Sequence, residues 1–148
     1  MSQNIGFQIS DMQIHQFEFD NEIEPEKGIK MELGVRFGSD PEKKAIGCKL
    51  RIQFLGKVKP VLELTFSCGF LIEPSEWETH VDKDRELLNL PLEFLRHIAA
   101  LTYTTSRGVL FAKSERTKFA NLVLPVVNFV EFITEAPQIQ LYSKGYES

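Results

Sequence analysis

The sequence predicts an α+β fold: a four-stranded antiparallel sheet, one long helix packed across one of its faces, and a short second helix near the C-terminus. Three observations lead there. Three successive stretches alternate apolar and polar residues with a period of two, a nearly uncharged helical stretch follows, and a Pro-broken apolar run comes last. Side chains of a strand point alternately to its two faces, so each alternating stretch offers one oily and one wet face. That is the pattern of a half-solvated antiparallel sheet.

The earliest strand segment, Phe7–Phe19, changes phase twice: Phe7 and Ile9 are followed by Met12 and Ile14, then by Phe17 and Phe19. Two phase changes in a run of strand formers predict bulges or a bent edge strand. The acidic stretch Glu18, Asp20, Glu22, Glu24 and Glu26 around Pro25 reads as a solvated connection. The alternating sets follow: Ile29, Met31, Leu33, Val35 and Phe37; Ile46, Cys48, Leu50, Ile52 and Phe54; and Leu62, Leu64, Phe66, Cys68, Phe70 and Ile72. Gly38-Ser39-Asp40-Pro41 starts one turn, and Gly56 with Pro60 brackets the next. A hairpin turning about Val58 sets Phe54 against Leu62, Ile52 against Leu64, Leu50 against Phe66 and Cys48 against Cys68. The two thiols are expected to be reduced and buried, serving as small hydrophobes.

After Ile72 the alternation dissolves into a polar crossing segment, Glu73–Glu86, which holds the only tryptophan, Trp77. Asn89 as cap, Pro91 in the first turn, Gly108 as a left-handed stop and Arg107 near the negative end of the dipole predict a helix over about 90–107. Between Leu92 and Ser106 its only formal charges are Glu93 and Arg96. A helix that is apolar nearly all round is normally covered on more than one side, and one sheet covers only one. Phe94, His97, Ala100, Leu101, Tyr103 and Thr104 are therefore expected at an interface with a second subunit. The small residues Ala99, Ala100, Thr102, Thr104, Thr105 and Ser106 would permit close approach there; the rival reading is cover by the crossing segment and tail.

The run from Phe119 to Ile133 is crowded with apolar residues, and Pro125 forbids one continuous helix through it. Asn128 with Glu131 three positions later forms a capping-box pattern, predicting a short helix over about 129–135, before Pro137. At 148 residues and 43% hydrophobic content the chain makes a single domain spanning 1–148, with 1–6 and 143–148 expected to fray.

Several function classes are poorly served. The formal charge of −4 and the scattered lysines and arginines argue against a nucleic-acid footprint. No apolar run approaches the roughly 18 residues of a membrane span, and Met1–Ser10 lacks the basic start and oily centre of a signal peptide, so a soluble cytoplasmic protein is expected. His15, His80 and His97 lie far apart, and His80 with Asp82 and Asp84 is the only local cluster that could tempt a metal. His97 reads as a packing residue. No phosphate-cradling glycine loop or nucleophile elbow occurs. The expectation is a protein without catalysis, metal or cofactor.

The order of elements, together with Arg107-Gly108, Leu124-Pro125-Val126-Val127-Asn128-Phe129 and the following Phe132, resembles the SecB family of export chaperones. Ile98-Ala99-Ala100-Leu101 and Ser106-Arg107-Gly108-Val109-Leu110 look closer still to SecB-like proteins other than the standard export chaperone. The resemblance implies a homotetramer built as a dimer of dimers, holding non-native polypeptides without ATP in apolar grooves. Departures are a longer stretch between Gly108 and Pro125, a second helix cut short by Pro137, and a wet sheet face mixing Lys30, Arg36, Lys49 and Arg51 with Glu32 and Glu63. The family docks its export motor on a more acidic face. Candidate groove residues are Trp77, Leu122, Leu124, Val126, Phe129 and Phe132, for each of which plain core packing is the rival. Two other functions fit the same pattern: masking one dedicated partner such as an antitoxin, and carrying a small apolar ligand.

Overall fold

The computed structural model describes residues 5–20, 22, 30–120, 122 and 124–141. Four long strands, β1 (Phe7–Phe19), β2 (Lys30–Asp40), β3 (Ala45–Leu55) and β4 (Pro60–Ile72), form an antiparallel sheet in the order β1-β4-β3-β2. The β3–β4 hairpin has the register expected from the apolar phase, with Phe54 opposite Leu62, Ile52 opposite Leu64, Leu50 opposite Phe66 and Cys48 opposite Cys68. Its turn is closed by Gly56 N–H donating to Lys59 O at 3.0 Å. The turn before it sits later than Gly38: β2 runs on to Asp40, whose carboxylate accepts from Lys43 N–H at 3.3 Å.

The phase changes in β1 are two bulges, between Ile9 and Asp11 and between Ile14 and Gln16. Their effect is to restore the apolar phase each time it slips. Phe7, Ile9, Met12, Ile14, Phe17 and Phe19 stand opposite Ile72, Phe70, Cys68, Phe66, Leu64 and Leu62, so all share the oily face.

That face carries α2 (Leu92–Ser114), and between it and β4 the crossing segment is structured where a polar loop was expected. Pro74 opens a helix, α1 (Pro74–His80), and Trp77 plugs it into the core at 4% exposure. A small hairpin follows, β5 (Val81–Asp82) with β6 (Leu87–Leu88), turning through Glu86 at φ 54°; β7 (Ile139–Gln140) adds a third strand to it. The Ser39 hydroxyl then donates to the carbonyls of Gln140 and Leu141, tying this small sheet to the end of β2.

Helix α2 differs from expectation at both ends. Asn89 does not cap it; the cap position is Pro91, whose ψ of 144° keeps it extended, and its carbonyl accepts from Leu95 N–H. At the other end the helix runs through Gly108 to Ser114. A mid-helix glycine costs about 1 kcal/mol, whereas continuing the helix buries Leu110 to 1% exposure, a gain of about 1.5–3 kcal/mol. Burial wins over the stop signal.

The short helix near the C-terminus, α3 (Phe129–Phe132), starts where the capping pattern places it: Asn128 Oδ1 accepts from Val130 N–H at 3.0 Å. It ends at Phe132 rather than near Glu135 because Ile133 turns extended and the Val130 and Ile133 carbonyls are taken by Arg96. Ile5 belongs to the core and the Gly6 carbonyl accepts from Glu73 N–H. The expected fraying of 1–4 and 143–148, most of the acidic loop and Ile29 lie outside the described residues.

The reverse face of the sheet is not simply wet. At its centre Lys49, Thr65 and Ser67 are buried. His15 Nε2 lies 2.8 Å from Ser67 Oγ, and Glu63 gathers Gln16, Gln53 and Arg51. The positive charges of Arg36 and Lys49 stand directly opposite across β2 and β3.

Candidate functional site

The amphipathic character of α2 is hidden in its hydroxyls. Leu95, Ile98, Ala99, Thr102 and Ser106 are all fully buried. Thr102 donates to Ile98 O at 2.8 Å, Ser106 to Tyr103 O at 2.6 Å and Ser114 to Leu110 O at 2.8 Å, so each polar residue facing the sheet is satisfied within its own helix. Small residues expected to admit a second subunit are thus spent inside the protomer: Ala99, Thr102 and Ser106 face the protomer's own core. Thr102 stands beside the facing thiols of Cys48 and Cys68. Burial pushes these thiols up to about 12 and about 11, so both stay protonated at neutral pH.

Of the candidate interface residues, Phe94 and Tyr103 turn inward and are buried. Phe94 meets Phe7 edge to face with centroids 5.7 Å apart; Tyr103 donates its hydroxyl to Pro125 O at 2.6 Å. The other four stay outward, His97 and Thr104 exposed, Ala100 and Leu101 half-buried. His97 rests against Phe7, 5.7 Å between ring centroids, which brings β1 beside this outer side of α2. Further along β1, Ile9, Met12 and Ile14 sit on the same face of the sheet and are exposed.

The C-terminal segment lies along the opposite flank of α2, held by two polar side chains of that helix. Arg96 donates through Nε to Ile133 O at 2.8 Å and through Nη2 to Val130 O at 3.0 Å, and Tyr103 holds Pro125. Phe129 packs on Tyr103 with centroids 5.8 Å apart.

This arrangement divides the candidate groove residues. Trp77, Leu124 and Phe129 are buried within the protomer, Trp77 as the one buried residue of α1 and the other two among several core residues of the C-terminal segment. A polar substitution at Trp77 or Leu124 therefore attacks the fold itself. Leu122 is half-buried, while Val126 at 85% exposure and Phe132 at 45% face outward. Two residues not singled out from the sequence join them: Val130, on the outward side of α3, and Phe111, on the part of α2 beyond Gly108. Phe111 was legible only if the helix were continued past the glycine. Between the end of α2 and the side chains of Leu122 and Leu124 a groove of about 300 Å³ is lined by Thr104, Arg107, Gly108 and Phe111, among others.

Among the described residues no group of His, Cys, Asp or Glu is placed to hold a metal ion, and no helix is long and apolar enough to cross a membrane. The His80 ring, one member of the local cluster considered for a metal, instead hydrogen-bonds Glu76 O at 2.8 Å.

No family model matches the sequence, and no curated protein matches it. Solved structures do. The SecB-like chaperone Rv1957 of Mycobacterium tuberculosis, determined in complex with a ChAD peptide from the Rv1956 HigA1 antitoxin, aligns with 82% of this chain and 90% of its own, at a TM-score of 0.54 and 14% identity. A Streptococcus agalactiae protein of unknown function aligns over 85% of this chain and all of its own, at a TM-score of 0.48 and 16% identity. The first likeness is one of fold: the chain has a SecB-like α+β architecture.

Proposed function

We propose that the protein is a chaperone that binds polypeptide segments in a non-native state, without ATP, through apolar surface along the end of α2 and the C-terminal segment. One observation carries this reading. Phe111, Val126, Val130 and Phe132 remain exposed although 29 apolar residues among those described are buried in the core. They belong to two segments that border or continue from one groove. Exposed large apolar residues are unremarkable singly; gathered along adjacent segments they mark an interaction surface.

Magnitudes set the style of binding. Burying about four client side chains gains roughly 6–12 kcal/mol, against about 1–2 kcal/mol for each client residue that must be ordered. A single surface therefore binds weakly, and several on one assembly bind a long client far better. Self-association belongs to the same proposal. The outer side of α2, with His97, Ala100, Leu101 and Thr104, and the neighbouring Ile9, Met12 and Ile14 of β1 offer the second copy an apolar face, in a dimer or in the tetramer that the SecB resemblance implies. Cytoplasmic location is part of this reading. The reverse face mixes Arg36, Lys49 and Arg51 with Glu32 and Glu63, unlike the acidic face on which the SecB resemblance would dock an export motor.

A narrower reading is favoured by the M. tuberculosis structure, whose chaperone is bound to a peptide from one antitoxin. Under it, the same surface masks a single dedicated partner. Suppression of aggregation measured on several unrelated unfolded proteins separates the two: broad suppression supports the general holder, and indifference to all but one partner supports the dedicated one. The double variant Val126→Asp/Phe132→Asp, altering exposed positions only, should retain its far-ultraviolet spectrum and lose most of the suppression. Full activity in that variant would remove this surface from the function.

A further inference from the structure

The groove at the end of α2 contains a cation that pairs with no carboxylate among the described residues. Arg107 is half-buried in its wall; among the described residues no acidic side chain lines the groove and the guanidinium makes no hydrogen bond or ion pair. The rest of the lining is apolar or small: Leu110, Phe111, Leu122 and Leu124 with Thr104 and Gly108. Gly108 adds an independent observation. A β-carbon built on it would meet nothing within 4 Å, and its backbone is not left-handed, so neither crowding nor conformation within the protomer requires glycine there. The missing side chain keeps the groove floor open at some cost in helix stability.

An open apolar floor beside a guanidinium that has no partner among the described residues is complementary to an apolar side chain next to a carboxylate. We propose that this groove selects client segments in which an aspartate or glutamate adjoins a large apolar residue, the apolar side chain seating over Gly108 and the carboxylate pairing with Arg107. The inference rests on the polypeptide-binding reading above and adds to it a chemical preference. Pure hydrophobic holding is blind to charge, and a chain with a formal charge of −4 would on average repel acidic segments. Arg107 would reverse that repulsion locally.

The test uses the full chain and three short labelled peptides whose N-termini are acetylated. Two are amidated and differ only in Glu or Gln beside a single Phe; the third carries Gln and a free C-terminal carboxylate. Fluorescence anisotropy at low salt should show the Glu peptide binding about three- to tenfold tighter than the Gln peptide, the range of a partly exposed charge pair. That ratio should fall to near one in Arg107→Gln, and also in about 0.5 M salt, where such pairs are screened. Gly108→Leu, which fills the floor, should weaken both amidated peptides. Equal binding of the Glu and Gln peptides, a ratio unchanged in Arg107→Gln, or preference for the free C-terminus would overturn the assignment. So would a Gly108→Leu variant whose oligomeric state changes while its peptide affinities do not, since the groove would then hold a second copy. If the Gln peptide binds and only the preference is missing, the chaperone reading survives without this inference; if neither amidated peptide binds, both fall.

Discussion

Arg96 illustrates how a single charge can be decisive in an otherwise apolar helix. Read along the sequence it is one of two charges between Leu92 and Ser106; in the fold it donates to the carbonyls of Val130 in α3 and of Ile133 just after it, and so fixes the C-terminal segment against α2. Replacing it with alanine should destabilise the protein by about 1–3 kcal/mol, as expected for two lost charge-assisted hydrogen bonds. Denaturant midpoints measure the loss, and amide exchange should rise first in α3. His15 is a second residue with a definite consequence. Burial, reinforced by the positive charge of Lys49, holds its ring below the ordinary value of 6.5. The unfolded chain then binds the proton more readily than the folded one, so stability is intact above about 6.5 and declines as pH falls below it. His15→Gln keeps a hydrogen-bonding side chain near Ser67 without the titration. The stability lost between pH 7 and pH 5 should be smaller in that variant than in the parent. None of these roles was legible in the sequence, because each depends on a partner far along the chain: Ile133 for Arg96, Ser67 for His15, Pro125 for Tyr103.

At the scale of elements, period-two alternation located β2, β3 and β4 and even the pairing of Cys48 with Cys68, since one wrong step of register would turn every apolar side chain of a strand to the other face. The double phase change likewise located the bulges of β1. Local capping signals served less well. Asn128 caps α3 as its spacing suggested, yet Asn89 and Gly108 have the right chemistry in places where tertiary contacts choose otherwise. Leu110, buried two residues beyond Gly108, supplies the competing term. A discriminating prediction follows for Gly108→Ala. Within a continuous helix, and with nothing near the added methyl, the change should stabilise by about 0.5–1 kcal/mol and raise the melting temperature. Were Gly108 a left-handed stop, the same change would destabilise. The structured crossing segment escaped notice because α1 is only seven residues long and the strands of its hairpin have two each, too short for periodicity to register.

For the whole molecule, the sequence conveyed that α2 is too apolar for one sheet to cover, and the structure refines which of its sides is left over. The side bearing Ala99, Thr102 and Ser106 is consumed by the protomer's own core, Arg96 and Tyr103 hold the C-terminal segment, and His97, Ala100, Leu101 and Thr104 face outward beside exposed Ile9, Met12 and Ile14. Sedimentation in dilute solution should therefore find an assembly larger than a monomer, and Met12→Lys with Ala100→Glu should dissociate it while leaving each protomer folded. A parent protein that sediments as a monomer at all concentrations would remove the avidity that makes weak grooves useful. The groove residues themselves were only half legible, since apolar character does not tell a lining residue from a core residue: Trp77 and Val126 look alike in sequence and differ in exposure from 4% to 85%. The claim on which the functional account rests is that unfolded polypeptide binds along the end of α2 and the C-terminal segment. Amide hydrogen exchange of the full chain, with and without a saturating unfolded client, tests it most directly. The account predicts new protection over residues 104–111 and 124–133 with the α1 and β5–β6 region unchanged; protection confined to other surfaces, or none at saturation, would contradict it.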